Sequence, residues 1–163
     1  MKKTVFTFII GCLTLSGFAQ IDSTQQYFKS PYIPAFKIIK VPDSSSFTNN
    51  MLQKGKPTIL VFFDPDCDHC QHATKNFTAK IDQFKNVQIL MVTIYEFSRI
   101  KKFYKDYKLR KFPNITLTRD AGITLPRFYN VSSIPDVYVY DKDGKLMNHY
   151  KKDIPVEEIA ALF

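Results

Sequence analysis

The sequence predicts an α/β domain whose central mixed β-sheet is flanked by helices on both faces. Two continuous apolar runs, at residues 58–63 (TILVFF) and 87–94 (VQILMVTI), are typical of strands buried on both faces. A segment with apolar residues at helical spacing follows each run. The last two predicted strands flank the turn at residues 141–144 (DKDG) and form an antiparallel hairpin, which makes the sheet mixed.

The first half of the domain begins with an alternating strand at residues 35–41, followed by the buried strand 58–63. A helix begins beside two cysteines, at Cys67 and Cys70. Its apolar stripe has helical spacing: Cys70, Ala73, Phe77, Ile81 and Phe84. This half therefore reads as strand, strand and helix, with the cysteines at a strand–helix junction.

The second half contains a helix after strand 87–94, with two contrasting faces. Its inward positions are apolar or aromatic: Ile100, Phe103, Tyr104 and Tyr107. Its outward positions are basic: Lys101, Lys102, Lys105, Lys108 and Arg110. This basic face is either a solvated surface or a docking surface for a partner.

Shorter elements complete the predicted domain. We expect a strand at residues 114–118, a short helix at 121–129 and the hairpin strands 137–140 and 145–150. A C-terminal helix starts at Pro155, with Val156 and Ile159 on its apolar face.

The first 19 residues have the pattern of a secretory signal. Lys2 and Lys3 precede an apolar run, and Gly17 and Ala19 are small residues at the positions that a signal peptidase reads. We predict cleavage after Ala19, a leader at residues 20–33 and one domain at residues 34–163. The chain is then exported, to the periplasm or cell envelope of a bacterium. No other stretch approaches the roughly 20 apolar residues of a membrane span.

Cys12 leaves an alternative open at the N-terminus. Residues 9–12 (IIGC) match a lipoprotein cleavage pattern, which would leave Cys12 as an acylated N-terminal residue. Otherwise this cysteine is removed with the signal.

The predicted mature chain keeps two cysteines, three positions apart. Disulfide-scaffold proteins use more cysteines and spread them along the chain, so this pair indicates chemistry. The net charge of +8 falls to +6 without Lys2 and Lys3, and no nucleic-acid-binding motif is present. We therefore predict no nucleic-acid partner.

Residues 62–72 (FFDPDCDHCQH) form the candidate site. At the start of a helix, unpaired backbone N–H groups and the helix dipole favour a thiolate, and the first cysteine of such a pair commonly has a lowered pKa. Cys67 is the predicted nucleophile. Cys70 lies on the apolar stripe and is predicted to be shielded and to act second, by closing a disulfide.

These residues resemble the thioredoxin superfamily, and within it the exported TlpA/ResA-like thiol–disulfide oxidoreductases. The resemblance spans residues 34–163 and includes GKPTILVFF leading into CDHC, and YNVSSIP leading into VYVYDKDGKL. It implies a thioredoxin-like fold with an extra strand–helix insertion. It also implies that Pro135 follows a cis peptide bond beside the active-site disulfide.

The same resemblance suggests where partners bind. The backbone of Ile134 and Asp136, on either side of Pro135, is predicted to form an edge for an extended partner peptide. Asp66, directly before Cys67, is also predicted to contact substrate. The implied partners are exported protein thiols or disulfides, including apocytochromes, and a membrane redox partner. No cofactor is expected.

The sequence departs from the superfamily at positions that handle protons or flank the motif. Asp66 stands where many members have Trp before the first cysteine. Val61 and Ala73 occupy positions where some members carry an acid. The group that exchanges protons with the cysteines therefore remains unassigned by sequence.

The direction of electron flow is also open. His69 is predicted to favour the Cys67 thiolate and so make the disulfide more oxidising, or else to be an exposed bystander. Asp64, Asp66 and Asp68 oppose this, because negative charges disfavour a thiolate, or they serve only as a turn and helix start.

The alternatives to redox chemistry are a metal site and a static disulfide. Cys67 and Cys70 with His69 or His72 supply ligands that suit copper(I) or zinc, but adjacent helical residues point apart and no second cysteine pair follows. A static disulfide closing so short a loop would add little stability. Peroxiredoxins carry Pro and Thr or Ser at fixed offsets before their nucleophile, and these are absent before Cys67. We therefore predict a redox pair and no metal ligand.

Overall fold

A seven-stranded mixed sheet forms the centre of the computed structural model, which describes residues 30–163. The strands are β1 (Lys37–Val41), β2 (Ser46–Thr48), β3 (Thr58–Phe62), β4 (Gln88–Thr93), β5 (Ile115–Arg119), β6 (Asp136–Tyr140) and β7 (Leu146–Lys151). Their order across the sheet is β2-β1-β5-β4-β3-β6-β7. The three central strands β5, β4 and β3 are parallel, and the outer pairs are antiparallel.

Within residues 30–163, four α-helices pack on the two faces of this sheet. They are α1 (Asp68–Ala79), α2 (Phe97–Asp106), α3 (Thr124–Phe128) and α4 (Val156–Ala160). Short 3₁₀ turns lie at Asn49–Met51, Ile81–Phe84 and Leu109–Lys111. The hydrophobic core on one face contains residues of α1, α2 and α4, and the core on the other face contains Leu125 of α3.

The burial of β3 explains its continuous apolar sequence. Ile59 and Val61 point into the first core, whereas Leu60 and Phe62 point into the second. All five residues of β3 are buried, because strands pair with it on both sides and helices cover both faces. The chain leaves this central strand directly into the cysteine-bearing loop.

The predicted fold class is confirmed. Two strand–helix units, β4–α2 and β5–α3, lie between α1 and the β6–β7 hairpin, so the expected extra unit is present. The hairpin turn is also as predicted: the Asp141 side chain accepts hydrogen bonds from the backbone N–H groups of Asp143 and Lys145, and Gly144 has a φ of 77°.

Three details differ from the predicted elements. The short strand β2 was not predicted, and it pairs with β1, which in turn lies antiparallel to β5. The short helix begins at Thr124 rather than 121, because Ile123 adopts a left-handed conformation with a φ of 55°. The cysteine helix ends at Ala79, and Ile81–Phe84 continues as a 3₁₀ turn.

The described N-terminal residues contact the hairpin. Tyr32 forms an isolated bridge with Lys145, and the N–H of Leu146 donates to the carbonyl of Pro31 at 2.7 Å. The predicted signal at residues 1–19, Cys12 and most of the leader lie outside the described residues. Within residues 30–163, no helix has the length and apolar character needed to cross a membrane.

Candidate active site

Cys67 occupies the N-cap position of α1. Its Sγ accepts a hydrogen bond from the backbone N–H of Cys70 at 3.4 Å, and its carbonyl accepts from the N–H of Gln71 at 2.9 Å. Both contacts follow from the helix start, where the first N–H groups have no partner within the helix. A negative charge on Cys67 would therefore face a backbone donor and the positive end of the helix dipole.

Cys70 lies one turn further on, in a different environment. It is 1% exposed and belongs to the same hydrophobic core as Phe77, whereas Cys67 is half-buried. Burial raises the pKa of the Cys70 thiol, and the negative charge of Asp64 adds to the increase, while a hydrogen bond from the Asp64 backbone opposes it. The Cys67–Cys70 pair thus consists of one accessible thiol and one protected thiol, both free.

The loop between β3 and Cys67 is held by its own two aspartates. The N–H of Asp66 donates to Asp64 Oδ1 at 2.9 Å, and the N–H of Cys67 donates to the Asp64 carbonyl at 3.2 Å. Gln71 of α1 donates its side-chain N–H to the Pro65 carbonyl at 2.9 Å. The turn expected for residues 64–66 is therefore present, and it fixes the approach of the chain to Cys67.

Arg99 of α2 reaches this loop and pairs with both carboxylates. Its Nη2 lies 3.2 Å from Asp64 Oδ1 and also hydrogen-bonds Asp66 Oδ2. The guanidinium lies 4.2 Å from the centre of the Tyr95 ring, and the Tyr95 hydroxyl hydrogen-bonds Asp64, which raises the pKa of Tyr95. We call Asp64, Asp66, Tyr95 and Arg99 the loop cluster.

The sequence prediction missed Arg99. The residue lies beside the basic positions of α2, but its partners are 33 and 35 positions earlier in the chain. The sequence feature that could have indicated Arg99 is the pair of acids before Cys67, because two neighbouring carboxylates favour a basic side chain nearby. Val61 and Ala73 are buried and apolar, so the carboxylate whose charge acts on Cys70 is Asp64.

The Ile134–Pro135 peptide bond is cis, as the resemblance implied. Pro135 is buried and directly precedes β6, in which Asp136 pairs with Phe62 on one side and Lys151 on the other. Ile134 is half-buried and packs against the core that contains Cys70. These strand pairings bring the residues around Pro135 to the end of β3 from which the cysteine loop departs.

Asp136, whose backbone is predicted to line a partner-binding edge with Ile134, has its side chain engaged within the protein. Its side chain is fully buried and paired with His149 Nε2 at 2.5 Å and with Lys151 Nζ at 3.8 Å. Tyr138 donates to Asp136 at 3.4 Å and stacks on the His149 ring at 4.1 Å. The Asp136 side chain is thus closed to a partner, and the predicted edge at Ile134 and Asp136 stays a prediction. We call Asp136, Tyr138, His149 and Lys151 the sheet cluster.

His69 contacts a residue far from the other cysteine-loop side chains. Its Nδ1 lies 3.3 Å from Asp153 Oδ1, and both side chains are largely exposed. Among the hydrogen bonds of residues 30–163, none joins His69 to Cys67. His72 Nδ1 instead contacts the Asn76 side chain at 3.4 Å. A role for His69 in tuning Cys67 stays a prediction.

An apolar cavity of about 280 Å³ lies beside Ile134. Its walls come from the end of β3, the residues after β4, the start of α3 and the segment before Pro135; they include Phe63, Ile94, Tyr95, Pro126, Val131 and Ile134.

Within the described part of the chain, no group of three or more His, Cys, Asp and Glu residues is arranged to hold a metal ion.

Comparisons with known proteins agree with this geometry. The sequence profile of the AhpC/TSA family matches residues 33–149. The chain belongs to the AhpC/TSA family. The thiol–disulfide oxidoreductase ResA of Bacillus cereus is 26% identical over 98% of this chain and 95% of its own length. ResA of Bacillus thuringiensis is 28% identical over 65% of this chain and 61% of its own length.

Solved structures extend the family assignment to the fold. A secreted disulfide oxidoreductase of Mycobacterium tuberculosis, described as homologous to Escherichia coli DsbE, superposes with a TM-score of 0.65. It is 22% identical, and the match covers 78% of this chain and 96% of that protein. The predicted thioredoxin-like fold and TlpA/ResA-like resemblance are confirmed. The predicted enzyme class agrees with the names of both ResA relatives and with the Cys67–Cys70 pair.

Proposed function

We propose that this protein is an exported thiol–disulfide oxidoreductase that exchanges a Cys67–Cys70 disulfide with protein thiols. The observation that carries the proposal is the contrast between the two cysteines. Cys67 is half-buried at the start of α1, and Cys70 is buried one turn later. Sequential exchange requires this arrangement: a partner can reach the first thiol but cannot reach the second.

As a reductant, the pair acts in two steps. The Cys67 thiolate attacks one sulfur of a partner disulfide, forms a mixed disulfide and releases the other partner sulfur as a thiolate, which takes up a proton. Cys70 then loses its proton and attacks Cys67 Sγ. The mixed disulfide breaks, the Cys67–Cys70 disulfide forms, and the partner leaves as a dithiol that has gained two electrons. Oxidation of a partner dithiol is the reverse sequence.

The raised pKa of Cys70 orders these steps. Burial keeps Cys70 protonated while Cys67 reacts with the partner. The second step therefore needs a group that accepts the Cys70 proton. Asp64 lies close enough to Cys70 for both its backbone and its charge to act on the thiol.

The partner segment lies along Ile134 and places an apolar side chain in the neighbouring cavity. The cavity walls are mostly apolar, and Ile134 contributes both to them and to the core around Cys70. Apolar contacts in this cavity would hold a partner by burial rather than by charge. The partners are exported protein thiols or disulfides, with apocytochromes as one class suggested by the resemblance, and a membrane protein completes the redox cycle.

Two observations support an exported location. The first 19 residues have the pattern of a secretory signal, and the similar Mycobacterium tuberculosis oxidoreductase is described as secreted. The periplasm or cell envelope of a bacterium is the proposed compartment.

Trapping of mixed disulfides tests the proposed function. A Cys70→Ser variant should accumulate a covalent adduct with a disulfide-containing protein, such as insulin, because no second thiol releases it. Cys67→Ser should form no adduct, since the accessible thiol is gone. Non-reducing electrophoresis with mass mapping reads the result. Adducts on Cys70 in the Cys67→Ser variant, at the yield seen for Cys67, would overturn the assignment of roles.

A second variant tests the cavity. Val131→Asp should reduce the yield of protein adducts in the Cys70→Ser background, because a carboxylate enters the apolar wall. Reaction with glutathione disulfide, which is small, should stay unchanged. Met147→Asp, at an exposed position of β7, is the matched control. Equal losses with insulin and glutathione would contradict a partner-binding role for the cavity.

A further inference from the structure

We propose that Arg99 sets the redox equilibrium of the Cys67–Cys70 pair by offsetting the negative charges of Asp64 and Asp66. This inference rests on the proposed function, since it concerns the reaction of the same pair. Arg99 is a positioning residue in this scheme. It acts through the two carboxylates and not by contact with a reacting sulfur.

The geometry gives Arg99 a defined orientation. It projects from the first turn of α2, and one guanidinium nitrogen bonds both carboxylates. The Tyr95 ring lies against the guanidinium at 4.2 Å, and the Tyr95 hydroxyl bonds Asp64, so each group restrains the next. The pairing with Asp66 is the main cause of the raised pKa of Arg99. An arginine side chain is charged at every physiological pH.

The two carboxylates belong to the three residues that precede the nucleophile in the chain. Asp66 directly precedes Cys67, and the backbone N–H of Cys67 bonds the carbonyl of Asp64. Their negative charges disfavour a thiolate and so disfavour the reduced state of the pair. A fixed positive charge between them reduces this effect. The helix start alone does not determine the stability of the Cys67 thiolate, because the loop places two negative charges before it.

A purely mechanical role is the competing explanation, in which Arg99 only ties α2 to the loop. The two roles make opposite predictions for Asp66. If Arg99 acts by charge, Arg99→Gln and Asp66→Asn should shift the redox equilibrium in opposite directions. If Arg99 only holds α2 against the loop, each variant weakens the same Arg99–Asp66 contact. Both variants should then shift the redox equilibrium in the same direction.

The experiment uses four proteins besides the parent: Arg99→Gln, Asp66→Asn, the double variant, and Lys101→Gln as a control for charge loss on the same helix. Lys101 lies over the Phe97 ring and pairs with neither aspartate. The readouts are the equilibrium with a glutathione series and the rate of Cys67 alkylation at neutral pH. Both measure thiolate stability without any protein partner.

We expect Arg99→Gln to favour the disulfide by about two- to five-fold and to slow alkylation by a similar factor, since the groups are partly solvated and screened by salt. Asp66→Asn should change both in the opposite direction, and the double variant should return close to the parent. Lys101→Gln should match the parent.

Three outcomes would overturn the inference. Arg99→Gln with parental values would show that the charge has no influence. Shifts of the same sign in Arg99→Gln and Asp66→Asn would assign a mechanical role. A parent protein that forms no reversible Cys67–Cys70 disulfide would overturn both the proposed function and this inference. That result is distinguishable from the other two, because it is seen in the parent before any Arg99 variant is compared.

Discussion

The loop cluster and the sheet cluster contain the same kinds of side chain but differ in burial. Each joins carboxylate, tyrosine and basic groups next to the end of β3. In the loop cluster, the Asp66 side chain is 69% exposed and that of Arg99 is 36% exposed. In the sheet cluster, Asp136 is fully buried. Charges that remain solvated adjust an equilibrium slightly, whereas a buried charge without a partner destabilises the fold.

The largest expected effect follows from breaking the sheet cluster. His149→Phe keeps a ring against Tyr138 but removes the short hydrogen bond from His149 to the buried Asp136 carboxylate, which leaves the Tyr138 hydroxyl at 3.4 Å and Lys151 at 3.8 Å. We expect the free energy of unfolding to fall by about 2–4 kcal/mol. Denaturant unfolding measures this.

Two controls sharpen that comparison. Met147→Leu, on the same strand at an exposed position, should leave the stability unchanged. Adding Asp136→Asn to His149→Phe should recover part of the loss, because no charge then stays buried. The glutathione equilibrium should not change in His149→Phe or in the double variant. A loss below about 0.5 kcal/mol for His149→Phe would show that the sheet cluster does not stabilise the fold as described.

The next effect concerns the two thiols beside the loop cluster. In the reduced protein at neutral pH, iodoacetamide should label Cys67 at least about tenfold faster than Cys70, because Cys70 is 1% exposed and burial raises its pKa. Peptide mapping by mass spectrometry after short labelling times separates the two sites. Preferential labelling of Cys70 would reverse the assigned roles.

Stability should also depend on pH through Cys70. Its pKa is raised in the folded protein above an ordinary value near 9, so the unfolded chain loses this proton first as pH rises. The contribution is present below about pH 9 and decreases above it, by at most about 1.4 kcal/mol per pH unit. In reduced protein, Cys70→Ala should therefore weaken the alkaline loss of stability. An identical pH profile for the variant and the parent would contradict the burial argument.

The smallest expected effect belongs to His69. Its exposed pairing with Asp153 keeps it outside both clusters, so His69→Ala should shift the glutathione equilibrium toward the disulfide by about twofold or less. Asp153→Asn is the matched variant and frees His69 from its partner. A shift for His69→Ala larger than that of Arg99→Gln would show that His69, rather than the loop cluster, dominates the charge balance.

The sequence was sufficient to predict those features of the fold that depend on the pattern of neighbouring residues. Continuous apolar strands, the stripe through Cys70 and Phe77, and the turn before Gly144 each reflect burial or backbone geometry within a few residues. Together with the motif resemblance, they predicted the fold class and the position of the thiols.

The remaining features depend on contacts between distant parts of the chain. Arg99 meets Asp64 across 35 positions, and His69 meets Asp153 from the opposite end of the domain. Asp136 looks like a polar strand end in sequence, but its burial is decided by the hairpin that brings His149 against it. Such pairings follow from the sheet order, which periodicity alone does not specify.

The reversible redox chemistry of Cys67 and Cys70 is the central claim, and equilibration of the protein with a glutathione series tests it most directly. Mass spectrometry of acid-quenched, alkylated samples gives the fraction of disulfide at each ratio. We predict a single reversible two-electron transition that interconverts the dithiol and the Cys67–Cys70 disulfide, and that is lost in Cys67→Ser and in Cys70→Ser. A dithiol that stays reduced, or a disulfide that stays oxidised, at every glutathione ratio would contradict the claim.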